Sequence, residues 1–174
     1  MRAFVSVDVP RPTIPELIAT AAAPSHLTLA FLGEVADARA GDLEAAVGRG
    51  VAGPAFTISF RGIDAFPTAR SPRVVFVGVR DGREALEALA GRVRSALTTE
   101  GFPFDPKPFV PHLTLFRVRG PRDEERARRL LDRFTDADLG SAPIASVELK
   151  SSELRRTGAA HHVLASYPLA PAPP

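Results

Sequence analysis

Apolar residues recur with a period of two in some stretches of the chain and near 3.6 in others, and the two kinds of stretch follow each other in a repeating order. Residues 2–9, RAFVSVDV, read as a strand that Pro10 ends. Thr13-Ile14-Pro15-Glu16 has the form of a helix start, with Thr13 as cap, Pro15 in the first turn and Glu16 closing a capping box. Leu17, Ile18 and Ala21–Ala23 continue that short helix until Pro24. The run SHLTLAFLG at 25–33 is a second strand, and a helix is expected over 38–49 with Leu43, Ala46 and Val47 at helical spacing. FTISF at 56–60 alternates as a strand and leads into IDAFPTARSP, expected as a loop.

The same order then returns. RVVFVGV at 73–79 is an apolar strand, and residues 83–99 form a helix with Leu86, Leu89, Val93 and Leu97 on one stripe. A proline-rich approach (Pro103, Pro106, Pro108, Pro111) delivers the strand PHLTLFRV. An arginine-rich helix over 122–134 turns Ala127, Leu130, Leu131 and Phe134 inward. ASVELKSSEL and HHVLASYPL close the chain as two more strands, and APAPP at 170–174 reads as a disordered tail. The pattern is β-α-β-α-β twice with one strand extra. It predicts an α+β fold: a bilobal, pseudo-two-fold pair of duplicated βαβαβ modules, with two mostly antiparallel sheets around a central cleft and helices outside. At 174 residues the whole chain, 1–174, is expected to be one domain. The halves differ in detail, since 24 residues separate Arg2 from His26 but 39 separate Arg73 from His112. The first helix is the shorter one.

The repeat contains a tetrapeptide that occurs twice, His26-Leu27-Thr28-Leu29 and His112-Leu113-Thr114-Leu115. Strand side chains alternate between faces, so each copy puts its leucines on one side and its His/Thr pair on the other. Leucines want a core. A core has no use for an imidazole and a hydroxyl side by side, so the polar pair belongs on a cleft. One such pair would carry little weight, threonine being common in strands. Two identical copies at matching places in a repeated topology suggest facing imidazoles.

Composition narrows the chemistry. There is no cysteine, which excludes disulfides, thiolate metal sites and cysteine nucleophiles and fits a reducing compartment. Asp8 and Pro10 come too early for a signal peptide, and no apolar run approaches a membrane span, so a soluble cytoplasmic protein without membrane contact is expected. The net charge of +2 gives no strong attraction of the whole molecule for nucleic acid. All but two of the 22 basic residues are arginine, Lys107 and Lys150 being the exceptions. Arginine suits phosphate because its fork donates two parallel hydrogen bonds, but only arginines near the histidines call for a functional explanation.

Two imidazoles on opposite sides of a phosphate can serve in one turnover as base and acid. Hydrolysis of a cyclic phosphodiester needs that combination: one deprotonates the attacking water and the other protonates the departing ribose oxygen. Thr28 and Thr114, two residues on, would donate hydroxyls to the non-bridging oxygens. The four histidines are 26, 112, 161 and 162, and neither HLTL strand holds a carboxylate, so no metal site is expected and no cofactor is required.

The paired H-x-T motifs resemble those of the 2H phosphoesterase superfamily, and more closely the bacterial and archaeal RNA 2′,3′-cyclic phosphodiesterases, also called 2′-5′ RNA ligases. The similarity extends through RAFVSVDVP, HLTLAFLGEV, FPTARSPRVVFVGV, GFPFDPKPFVPHLTLFRV and VELKSSEL with Gly158 and SYPL. It implies a bilobal fold with the active site in a groove between lobes. It also implies His26 as acid to the leaving 3′ oxygen, His112 as base to water, and Thr28 and Thr114 as phosphate ligands. The implied substrate is RNA ending in a 2′,3′-cyclic phosphate and the product a 2′-phosphate, with weak reverse 2′-5′ ligation; a monomer is expected. Alternatives are a phosphodiesterase for a small cyclic nucleotide such as ADP-ribose 1″,2″-cyclic phosphate, and a non-catalytic RNA-end binder.

Two departures from the family pattern stand out. The segment before His26 is reduced to AAAPSH, which should leave one groove wall shallow. Gly158-Ala159-Ala160 leads to His161-His162 where relatives place a tyrosine; either histidine could face the groove, though the pair reads first as solvated at a strand end. Alternation sets Arg117 on the leucine side, suited to an ion pair, unless a twist or bulge turns it toward phosphate. Phe66 is a candidate base-stacking platform or a loop anchor, with Arg70 and Arg73 beside it as candidate contacts to RNA backbone. Arg122, Arg126, Arg128 and Arg129 are expected to decorate an exposed helix face.

Overall fold

The computed structural model describes residues 1–10, 25–155 and 158–172. Its elements are β1 (Arg2–Asp8), β2 (His26–Glu34), a 3₁₀ turn (Asp37–Arg39), α1 (Ala40–Gly50), β3 (Phe56–Thr68), β4 (Ser71–Val79), α2 (Arg83–Thr99), β5 (His112–Arg117), α3 (Pro121–Phe134), β6 (Asp138–Ile144), β7 (Ser146–Arg155) and β8 (Gly158–Pro168). The helix expected over 13–23 lies outside the described residues.

The strands form two four-stranded sheets in the orders β2-β1-β7-β8 and β5-β4-β3-β6, and every pair in them is antiparallel. This is the duplicated α+β architecture that the repeat predicts, with one exchange. The third strand of each repeat crosses over: β3 joins the second sheet and β7 the first. The exchange interlocks the two lobes, because the chain must pass between the sheets to complete each of them.

The cause of the first crossing is local. The segment expected as a loop over 63–72 is the tip of the β3–β4 hairpin, with Thr68 paired to Ser71 and Pro67 to Pro72. Ile63 and Ala65 are buried while Asp64 is exposed and Phe66 half-buried, so the strand period continues past Phe60. Pro67 is tolerated because β6 covers β3 only from Phe56 to Arg61, leaving the rest of β3 an edge. β6 itself, DLGSAPI, is a strand that the sequence pattern does not announce: it holds a glycine and a proline and buries only Leu139, Ala142 and Ile144.

One continuous core runs through both lobes. α2 buries Leu86, Leu89, Ala90, Val93 and Leu97, as its stripe requires. It packs against α1 so closely that a Cβ on Gly50 would stand 2.7 Å from the Cα of Val93. α3 lies along β3 and β4 and starts at Pro121, a position where the missing N–H costs nothing. Near the chain end Ala170 donates to Gly53 O at 3.1 Å and accepts from Ala55 N at 2.7 Å, which ties down the first residue of the expected tail. Among the described residues no helix is long and apolar enough to cross a membrane.

Candidate active site

Both HLTL strands are edge strands, β2 of the first sheet and β5 of the second, and the two edges lie against each other. Within each, the alternation is as expected: Leu27, Leu29, Leu113 and Leu115 are buried, His26, Thr28 and His112 are half-buried, and Thr114 is exposed. The two sites also share an irregularity. Pairing runs Ser6↔Thr28 then Val5↔Ala30 in the first sheet, and Phe76↔Thr114 then Val75↔Phe116 in the second. Leu29 and Leu115, the fourth residue of each motif, are therefore the extra residues of equivalent β-bulges. A bulge reverses the facing of everything after it.

The reversal decides Arg117. Simple alternation sets it with the leucines, but beyond the bulge it pairs with Val74, which also pairs with Phe66 on the His112 face. Arg117 thus stands on the histidine side, and Phe116 turns to the core, where Arg126 caps its ring at 5.1 Å. In the first strand the residue two past the bulged leucine is Phe31, with Arg2 over its ring at 5.1 Å.

His112 is held on three sides. Its Nδ1–H donates to the carbonyl of Val110 at 2.6 Å, which leaves Nε2 as the free nitrogen. The rings of Phe66 and Phe76 stand 5.1 and 5.3 Å from it, and they stack on each other at 4.3 Å. Burial pushes the His112 imidazole below its ordinary range; the Val110 carbonyl opposes this and the Arg117 charge adds to it. The lowering favours the neutral ring, whose Nε2 can accept a proton.

His26 sits in a matching set of rings, Phe4 at 5.2 Å and His161 at 5.3 Å, with Phe4 and His161 5.0 Å apart. His161 is therefore no solvated strand-end residue. It packs edge-on against His26, and its Nδ1 is buried without a hydrogen-bond partner among the described residues. Burial, then the Lys150 charge, holds it below the ordinary imidazole range, against the pull of Asp8 and with a small push from His162. His162 is the exposed member of the pair, 3.8 Å from Glu153. Near these rings, the buried Lys150 ammonium pairs with Asp8, the cross-strand neighbour of His26. No motif around Lys150 assigns it a role; its being one of only two lysines in an arginine-rich chain is the available signal.

Arg94 is a further residue that sequence reasoning missed. From α2 it donates to the carbonyl of Leu29 in the first motif and to that of Lys107 on the approach to the second, both at 2.9 Å. Phe104 and Phe109 lie 5.4 and 5.5 Å from its guanidinium. Beside it Asp105 N donates to Phe31 O at 2.9 Å, so the proline-rich approach is laced to the outer edge of β2. One arginine thereby ties the first motif to the approach to the second.

Arg70 and Arg73 sit exposed at the β3–β4 tip. Arg70 helps wall a groove of about 680 Å³ that also includes Phe66 and Phe76, whereas Arg73 does not. Among the described residues no three His, Cys, Asp or Glu side chains converge as metal ligands would.

Residues 15–151 match the 2′-5′ RNA ligase superfamily. A protein of Aeropyrum pernix named RNA 2′,3′-cyclic phosphodiesterase is 37% identical over 142 residues, 80% of this chain and 78% of that one. A protein of the same name from Archaeoglobus fulgidus is 34% identical over 171 residues, covering 91% and 94%. Among solved structures, a Thermus thermophilus protein superposes with a TM-score of 0.77 at 27% identity over 98% of this chain and 99% of its own. Escherichia coli LigT complexed with 3′-AMP gives 0.71 at 28% identity over 97% of each chain. Family match, extended identity and shared duplicated fold agree: this chain is a member of the 2′-5′ RNA ligase superfamily.

Proposed function

We propose that the protein hydrolyses the 2′,3′-cyclic phosphate at the end of an RNA strand to a 2′-phosphate, using His26 and His112 as an acid–base pair. The observation that carries this is the matched presentation of His and Thr from two abutting edge strands with equivalent bulges. The relatives named RNA 2′,3′-cyclic phosphodiesterase support the choice of substrate.

In this scheme Nε2 of neutral His112 takes a proton from water as its oxygen bonds to phosphorus. The bond from phosphorus to O3′ breaks, and O3′ takes a proton from His26. The products are a 2′-phosphomonoester and a free 3′-hydroxyl, and the two histidines have exchanged protonation states. The tautomer supports His112 as the base, since its other nitrogen is spent on Val110. Thr28 and Thr114 donate to the non-bridging oxygens from opposite sides, and Arg117, brought round by the bulge, faces the same charge. With an RNA 5′-hydroxyl attacking phosphorus in place of water, the same step forms a P–O5′ bond as P–O3′ breaks, and so joins two strands slowly through a 2′-5′ phosphodiester.

The test is to incubate the protein, in excess EDTA and without ATP, with an oligonucleotide ending in a 2′,3′-cyclic phosphate. Conversion to the 2′-phosphate end is expected. No product, or product lost on chelation, would overturn the scheme.

A further inference from the structure

The groove behind His112 is joined to the proposed active site but not used by the reaction. Its volume of about 680 Å³ falls within the roughly 300–1,000 Å³ of small-ligand sites, enough for one or two nucleotides. It shares two walls with His112: the Phe66–Phe76 stack that touches the imidazole ring, and Val110, whose carbonyl binds Nδ1. From there it runs past the uncovered edge of β3 to α3.

Four arginines reach it. Arg61 is clamped by both carboxylate oxygens of Asp136 at 2.5 and 2.6 Å, and Arg83 is held by Glu87 at 2.7 Å. Arg70 and Arg128 have no hydrogen-bond or ion-pair partner among the described residues, so their donors are uncommitted. Two carboxylates, Asp64 and Asp132, also line the groove. A site for a bare anion would gain nothing from carboxylates. A site for a nucleotide would, because base amino groups need acceptors while the phosphate needs donors. The half-buried Phe66 ring, in the lining of the groove, adds the aromatic surface used for single-stranded RNA.

We propose that this groove, from Phe66 to Arg128, holds the RNA strand on the 5′ side of the cyclic-phosphate nucleotide, with Arg70 and Arg128 on its backbone phosphates. This rests on the proposed function and adds to it a path for the strand. Arg128, expected to decorate an exposed helix face, is thereby assigned to substrate.

Steady-state kinetics on two substrates test this: a 2′,3′-cyclic mononucleotide and a hexanucleotide with the same 3′-terminal nucleoside cyclic phosphate. The wild type prefers the hexamer in kcat/KM. Arg128→Ala reduces that preference roughly tenfold, and the log–log salt dependence of the hexamer KM loses about 0.7 of slope per lost phosphate contact. Arg129→Ala removes the same charge one residue along, from a side chain paired with Glu125 and outside the groove, and keeps the wild-type ratio. A ratio that falls equally in both variants, or in neither, would overturn the groove as the strand path. Wild-type protein that turns over neither substrate would overturn the proposed function itself, and this inference with it.

Discussion

Arg117 shares a strand face with His112 because Leu115, between them, is the extra residue of a β-bulge. The guanidinium is near enough to add to the effect of burial in keeping the imidazole neutral, and it faces the position assigned to phosphate. A nearby cation disfavours imidazolium, so its loss raises the His112 value. Arg117→Gln should therefore move the acid limb of the pH profile of kcat/KM to higher pH and weaken substrate binding, whereas Arg117→Lys leaves the limb in place. An unmoved limb in the glutamine variant would detach Arg117 from His112.

The tie made by Arg94 predicts a coupled defect. Arg94→Met keeps an unbranched side chain but gives up both donations to Leu29 and Lys107 and the guanidinium beside the Phe104 and Phe109 rings. Two net hydrogen bonds of about 1 kcal/mol each predict roughly 1–2 kcal/mol of lost stability, read by thermal denaturation. The variant should also lose kcat disproportionately, because this side chain holds the first motif strand to the segment that leads into the second. Full activity with reduced stability would show that the tie has no part in positioning them.

The ring set around His26 differs from that around His112 in holding one titratable ring. His161→Phe preserves the edge-on packing, as Phe66 does against His112, and should keep kcat/KM within about threefold at neutral pH. His161→Ala removes the wall and should cost about tenfold, the scale of one aromatic contact. Equal activity in the alanine variant would make His161 a bystander.

Much of this architecture is legible in the sequence. Period-two alternation locates both motif strands, and the stripe of Leu86, Leu89, Val93 and Leu97 locates α2 from Arg83 to Thr99. The misses have physical causes. A bulge leaves no mark in a sequence, so alternation alone leaves the facing of Arg117 open. Phe66-Pro67 looks like a loop because proline breaks most strands, yet an open edge accepts it. Contacts such as Arg94 with Leu29, or His161 with His26, join residues far apart in the chain, and no local pattern reports them.

The Lys150–Asp8 pair predicts an asymmetry. Lys150 is 3% exposed and Asp8 46%. Asp8→Ala strands a buried ammonium and should cost about 3 kcal/mol, the scale of breaking a buried pair. Lys150→Met fills the same space and leaves a carboxylate that water can reach, for a loss of about 1 kcal/mol or less. Urea denaturation of the two variants checks the order, and the reverse order would contradict this placement of the pair.

The central claim is that two histidines on facing strands share one turnover as base and acid. It is tested most directly by the pH profile of hydrolysis of an oligonucleotide 2′,3′-cyclic phosphate in EDTA, measured for the wild type, His26→Ala and His112→Ala. The account predicts a bell-shaped wild-type profile yielding only the 2′-phosphate end, and losses of about a hundredfold or more in each folded single variant. A folded variant of either kind that retains near-full rate, or a wild-type profile with a single limb, would contradict it.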